Sequence, residues 1–170
     1  MTEALTDPFA RAVALVLEIE GPMDDQPRTD PDGGLTKFGI AQKQHPGIDV
    51  ARLDRAGALA IYQAEYWIKA GCNLLPWPLS LLMFDGAVNQ GVVPVAAMLE
   101  NALKTPLDLR VGPNDVEAVN AVVKRGELLN LCARVAAKRC VRYSRTTNFE
   151  SNGEGWLYRV ALCCMEGAKS

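Results

Sequence analysis

Apolar residues recur at helical spacing along most of the chain. The first such stretch opens with Asp7 and Pro8, a pair typical of a helix start, and ends before Gly21. The segment 78–90 is apolar on nearly every side, which predicts a helix buried at the centre of the protein. Further helices are predicted over 54–70, from 94 to about 104, from Asn114 with Glu117 as a capping box, over 126–144 and over 154–166.

One segment breaks this pattern. Residues 22–36 are rich in aspartate, proline and glycine, which indicates a loop with turns. Residues 35–40 are the only stretch that predicts a short strand or a hairpin edge. The pattern therefore predicts a mainly α fold with a small β-hairpin or loop behind the first helix, and 170 residues suit one domain.

Composition and charge argue against several functional classes of protein. The net charge of −2 argues against a dedicated nucleic-acid-binding protein, which would normally be basic. No apolar run reaches the length of a membrane span, and the first residues do not resemble a secretory signal. The five cysteines are an odd number without a C-x-x-C pair, so we expect reduced thiols and synthesis in the cytoplasm without a signal peptide.

Charge is unevenly distributed. Residues 1–36 carry eight acids and two bases, whereas residues 124–145 carry seven bases and one acid. An acidic cleft opposite a basic face would suit an enzyme attracted to an anionic polymer or membrane. The alternative is that the bases form a solvated helix face.

The candidate chemistry lies where the first helix meets the acidic loop. Glu20 is at the end of that helix, and Asp30, Asp32 and Thr36 follow. Glycoside hydrolysis needs a carboxylic acid that protonates the leaving oxygen and a second polar group that positions water or stabilises positive charge on the sugar. The aspartates do not follow the EF-hand pattern and no closing glutamate is present, so we predict no metal here.

Several sequence blocks add to this pattern, in the same order as in a known family. They are Glu-Gly at 20–21, Gly-Gly-Leu-Thr-Lys-Phe-Gly-Ile at 33–40, Tyr-Trp at 66–67, Leu-Pro at 75–76, Phe-Asp-Gly-Ala-Val-Asn-Gln-Gly at 84–91, Leu-Asp-Leu-Arg-Val-Gly-Pro at 107–113 and Gly-Trp-Leu-Tyr-Arg-Val at 155–160. Together they resemble the N-acetylmuramidases of glycoside hydrolase family 108, lysozyme-like proteins found as phage endolysins and bacterial wall hydrolases.

The resemblance implies a lysozyme-like helical fold, with 1–91 as the catalytic part and 92–170 as a peptidoglycan-binding-like part of one domain. It implies that Glu20 is the essential acid, that no metal or organic cofactor is needed, and that the substrate alternates N-acetylmuramic acid and N-acetylglucosamine. Similarity to phage-type lysozymes favours Asp30 and Thr36 as its partners. Residues 21–23 are Gly-Pro-Met where the family has Gly-Gly-Tyr, and the loop is longer than in the family, so Asp25 and Asp32 stay open as alternatives.

Three further residues are candidates for substrate binding. Asp85 and Asn89 are four residues apart and share one face of an apolar helix. They are either a buried polar pair or a wall of the sugar cleft, and we favour the cleft. Tyr66 is either a platform for sugar stacking or part of the core, whereas Trp67 is expected in the core.

The leading hypothesis is a muramidase that lyses the bacterial cell wall. The alternatives are a lytic transglycosylase, and a non-catalytic peptidoglycan-binding or structural module that kept the fold. The expected partner is the glycan strand of peptidoglycan in the periplasm or cell wall, with no nucleic acid and no stable membrane insertion. A holin or a secretion system would have to give the protein access to the wall.

Overall fold

A computed structural model describes residues 7–20, 26–30, 34–167 and 169, without the side chains of Glu20 and Asp30. The described part is mainly α-helical and carries one small antiparallel sheet. Its helices are α1 (Pro8–Glu20), α2 (Arg55–Ile61), α3 (Leu79–Gln90), α4 (Val92–Leu103), α5 (Pro113–Lys124), α6 (Leu128–Ser144) and α7 (Phe149–Gly167). Its strands are β1 (Arg28–Asp30), β2 (Gly34–Lys37) and β3 (Ile40–Ala41). The prediction of a mainly α fold with a small hairpin is confirmed.

The first helix begins as its sequence predicts. The carboxylate of Asp7 accepts hydrogen bonds from the backbone N–H groups of Phe9, at 3.1 Å, and Ala10, at 3.3 Å. These bonds satisfy donors that the start of a helix leaves unpaired. Ala12, Val13, Val16 and Leu17 on one face of α1 are buried in the core.

The small sheet is anchored to the helical body by a tyrosine. Strand β2 turns into β3 through Phe38 and Gly39, which both have positive φ angles, of 52° and 75°. Such a two-residue turn matches the twist of a hairpin. The buried Tyr62 hydroxyl donates to the Phe38 carbonyl at 3.2 Å, and a Cβ on Gly39 would lie 2.5 Å from that hydroxyl oxygen. Glycine therefore permits both the turn and its close contact with the helices.

Helix α3 lies at the centre of the structure, as its apolar pattern predicts. Residues 79–87 are all buried, and α1, α4, α6 and α7 pack against them. Phe84 forms edge-to-face contacts with Phe9 and Trp67, with ring centroids 5.9 and 5.5 Å apart. Trp67 is 4% exposed, so its prediction as a core residue is confirmed.

Other element bounds differ from the sequence prediction. The segment 54–70 is α2, capped by Asp54, followed by a π-helical stretch at Tyr62–Ile68. The predicted capping box at Asn114 is wrong: α5 starts earlier, where Asp115 accepts from the backbone N–H of Gly112 at 3.0 Å. Helices α4 and α7 also begin before their predicted starts, and β1 lies in a segment predicted as loop.

Two further predictions concern thiols and membranes. All five cysteines are free, as expected for a reduced protein. Within the described residues, we find no helix with both the length and the apolar character needed to cross a bilayer.

Candidate functional site

The predicted catalytic residues lie on α1 and on the sheet. Glu20 is the last residue of α1, and Asp30 is the last residue of β1, where it pairs with Gly34. Thr36 lies on β2, between Arg28 of β1 and Ala41 of β3. The side chains of the two acids fall outside the described structure, as do residues 21–25 and 31–33, which include the alternatives Asp25 and Asp32. The catalytic roles of Glu20 and Asp30 therefore stay predictions.

Thr36 is the predicted catalytic residue whose side chain is described. Its hydroxyl oxygen is buried, and no hydrogen-bond partner for it is found among the described residues. A buried hydroxyl without a partner costs stability, and native proteins rarely contain one. This hydroxyl is therefore available to bind a water molecule or a substrate group.

Asp85 does not lie on a cleft wall. It is fully buried, and each of its carboxylate oxygens contacts an arginine: Arg139 Nη2 at 2.5 Å and Arg159 Nε at 2.6 Å. Arg139 is itself fully buried and also donates to the Leu82 carbonyl at 3.2 Å. Burial tends to lower the pKa of Arg139, but the neighbouring Asp85 carboxylate raises it above its ordinary value. This geometry favours the structural alternative for Asp85 over the predicted contact with sugar.

Asn89 is exposed, one turn further along α3. Its Oδ1 accepts a hydrogen bond from the Tyr143 hydroxyl at 2.5 Å. Both residues line a cavity of about 200 Å³ together with Trp156, whose ring stacks on Tyr143 at 5.0 Å between centroids. Asn89 thus lies on a surface with an aromatic wall, and its role in sugar binding stays a prediction.

Tyr66 is half-buried in the π-helical stretch, with its ring 5.7 Å from that of Tyr62. Desolvation by burial, reinforced by the neighbouring Glu65 carboxylate, raises the pKa of the Tyr66 phenol. The hydroxyl therefore stays protonated at neutral pH and can donate a hydrogen bond. Tyr66 thus lies next to Tyr62, the residue that anchors the hairpin. The contact of Tyr66 with sugar also stays a prediction.

Part of the basic segment near the carboxyl terminus lines a groove between α4 and α6. The groove has a volume of about 980 Å³, and no acidic side chain of the described chain lines it. Val93 and Val141, 53% and 47% exposed, form part of its apolar surface. Its cationic side chains are Lys104, Arg134, Lys138, Arg142 and Arg145. Such a groove is electrostatically suited to an anionic partner.

The sequence interpretation missed the role of Arg139, which counted only as one base of the cationic segment. Yet the buried face of α6 carries residues at three- or four-residue spacing, and Arg139 is one of them. They are Cys132, Val135, Arg139 and Tyr143. That spacing places the arginine on the apolar face. A lone base at such a position is a signal for a buried carboxylate partner.

Comparisons with known proteins agree with the sequence blocks. The family model described as glycosyl hydrolase 108 matches residues 13–91, from within α1 to the end of α3. The predicted resemblance to this family is confirmed. The matched segment contains Glu20, the small sheet and the central helix. A comparison with curated proteins found no match.

The chain is also similar to a solved structure, that of SagA from Brucella abortus. The TM-score is 0.77 at 22% sequence identity, and the alignment covers 95% of this chain and 96% of the other. At this identity the likeness shows the fold. The glycosyl hydrolase 108 match supports a glycoside hydrolase, and within that class a peptidoglycan hydrolase of lysozyme type.

Proposed function

We propose that the protein is an N-acetylmuramidase that hydrolyses the bond between N-acetylmuramic acid and N-acetylglucosamine in peptidoglycan. The observation that carries the proposal is the position of Glu20, which ends α1 inside the segment matched by glycosyl hydrolase 108. The next described element is the sheet that bears Asp30 and Thr36. Glycoside hydrolysis requires an acid and a second polar group near the scissile bond, and Glu20 together with Asp30 or Thr36 would supply them.

In this mechanism Glu20 donates its proton to the leaving glycosidic oxygen. The carboxyl end of a helix carries partial negative charge, which favours the protonated form of a carboxyl group close to it. Asp30 stabilises positive charge on the sugar or orients the attacking water, and it accepts the proton that the water loses as its oxygen bonds to the anomeric carbon. Thr36, whose buried hydroxyl has no partner in the described chain, holds that water.

The helices after α3 would bind the part of the glycan strand that lies outside the catalytic site. We propose that 92–170 binds peptidoglycan, because the peptides of the wall carry carboxylates and the groove between α4 and α6 is cationic. The protein would act in the periplasm or cell wall, with access provided by a holin or a secretion system.

The test is mass spectrometry of peptidoglycan digested with the purified chain. Muramidase activity should yield products with reducing N-acetylmuramic acid ends. Glu20→Gln should lower turnover by about 10²–10⁴-fold while the melting temperature stays unchanged, because a carboxamide cannot act as a general acid.

Three outcomes would contradict the proposal. Anhydro ends would identify a lytic transglycosylase, in which a hydroxyl of the substrate replaces water. Wall binding without any released products would identify a non-catalytic module. Wild-type turnover by Glu20→Gln would remove Glu20 from the mechanism.

A further inference from the structure

A second group of acidic side chains lies far along the chain from Glu20, around Glu100 of α4. Glu100 is 0% exposed. Its Oε1 accepts hydrogen bonds from the backbone N–H groups of Asp108, at 3.0 Å, and Leu109, at 2.8 Å, in the loop that leads to α5. Its Oε2 is also buried, and no hydrogen-bond partner for it is found within the described ranges. Because a buried carboxylate oxygen is costly to leave unpaired, Oε2 calls for a positively charged or protonated partner.

Two further carboxylates converge on Glu100. One oxygen from each of Glu100, Asp108 and Asp115 lies within 4.8 Å of the other two. Asp115 is 4% exposed and accepts from the Thr105 hydroxyl at 2.5 Å and from the Gly112 backbone N–H at 3.0 Å. Asp108 is exposed, so the cluster is accessible from solvent.

The cluster can hold a divalent cation, because carboxylate oxygens within 4.8 Å of one another can share one ion. Calcium is favoured over magnesium because Ca²⁺ takes several carboxylate ligands in flexible geometry, whereas Mg²⁺ demands a near-ideal octahedron and usually keeps several waters. A cavity of about 270 Å³ borders the cluster, lined by both Asp108 and Asp115, and has room for the water molecules that would complete the coordination.

We propose that Glu100, Asp108 and Asp115 form a calcium-binding site that fixes the loop 105–112 onto α4. The cation would offset two of the three carboxylate charges, and the Arg110 guanidinium, 3.4 Å from Asp108, would offset the third. It would also supply the partner that Glu100 Oε2 lacks. The competing arrangement is a proton shared between Glu100 and Asp108, which would need no divalent ion. The two differ in their response to calcium, independently of whether the protein cleaves peptidoglycan.

The test uses the full chain after treatment with a chelator. Addition of CaCl₂ to about 100 times Kd should raise the melting temperature by about 5–10 °C. Calorimetric titration should give one site per chain, and MgCl₂ at the same ionic strength should produce a smaller shift. Asp108→Asn removes one of the three carboxylate charges and should strongly reduce the calcium shift, because calcium affinity falls with the charge of the ligands, and this exposed position lets the variant fold.

The matched control is Glu117→Gln, an exposed acid of α5 outside the cluster, which should keep the full calcium shift. Absence of heat and of any thermal shift with CaCl₂ in the wild type would overturn the proposal and favour the shared proton. An equal shift in Asp108→Asn would also overturn it. A magnesium shift as large as that with calcium would overturn the assignment to calcium.

Discussion

Arg139 Nη2 lies 2.5 Å from Asp85 Oδ2, and neither side chain is exposed. The pair connects α6 to α3 across 54 residues of sequence. The other oxygen of Asp85 binds Arg159 of α7, so one carboxylate ties three helices together. Two of the family-like blocks, at 84–91 and 155–160, therefore meet through the contact between Asp85 and Arg159.

This relationship predicts the effect of Asp85→Asn. The substitution leaves two buried arginines facing a neutral amide, so the free energy of unfolding should fall by about 3–5 kcal/mol. Urea unfolding measures it, with Glu154→Gln, an exposed acid on α7, as the control that should change stability by less than about 0.5 kcal/mol. A stable Asp85→Asn variant that binds wall material poorly would contradict the structural role and restore the predicted role in sugar binding.

The sequence predicted the helices well because their apolar faces are continuous. The buried centre at α3 follows from the apolar run 78–90, and the start of α1 follows from Asp7. The start of α5 could not be read in the same way. Local spacing suggested a capping box that starts at Asn114. In the structure, the side chain that caps α5 is Asp115, which accepts a hydrogen bond from the backbone N–H of Gly112.

The site was less predictable than the fold. Asp85 and Asn89 share a helix face, and sequence spacing cannot say which part of that face another helix covers. The structure separates them: Asp85 is enclosed by α6 and α7, while Asn89 is exposed beside Tyr143. The decisive partners, Arg139 and Arg159, are 54 and 74 residues away from Asp85, which is beyond the reach of local patterns.

The hydroxyl of Thr36 predicts separate effects on stability and activity. Thr36→Val keeps the shape of the side chain and removes a hydroxyl that has no partner among the described residues. Because no hydrogen bond within the described chain is lost, the free energy of unfolding should change by less than about 1 kcal/mol. If the hydroxyl positions water, turnover should fall by about 10²-fold. Urea unfolding and turbidity loss of wall suspensions measure the two effects, and a stable variant with normal turnover would exclude Thr36 from the mechanism.

A pair of substitutions separates Asp30 from Asp32. Asp30 ends β1 and precedes Pro31, which favours an extended backbone. Asp32 stands between Pro31 and the two glycines, where an aspartate typically stabilises a turn. We expect Asp30→Ala to lower turnover with little change in melting temperature, and Asp32→Ala mainly to lower the melting temperature. An inactive but stable Asp32→Ala variant would assign the catalytic role to Asp32.

The buried thiols predict a loss of stability at alkaline pH. Burial, with a smaller contribution from Cys164, raises the pKa of Cys132 from 9.0 to about 12. The unfolded thiol therefore loses its proton near pH 9, whereas the folded one keeps it, and stability falls as pH rises from 9 to 12. At pH 10 this loss should be on the order of 1 kcal/mol. Urea unfolding at pH 8 and pH 10 should show a weaker pH dependence for Cys132→Ala, and equal dependences would contradict the prediction.

The cationic groove predicts how the protein binds the wall. Lys138 lines the groove on α6, so Lys138→Glu both removes a positive charge and introduces a repulsive one. In a Glu20→Gln background, which separates binding from cleavage, this change should weaken binding to purified wall about fivefold at low salt. The difference should shrink as salt is raised, because salt screens exposed charges. Lys124→Glu, the same change at an exposed position of α5 outside the groove, is the control and should bind as the parent does. Equal weakening in both variants would mean that overall charge, and not this groove, attracts the wall.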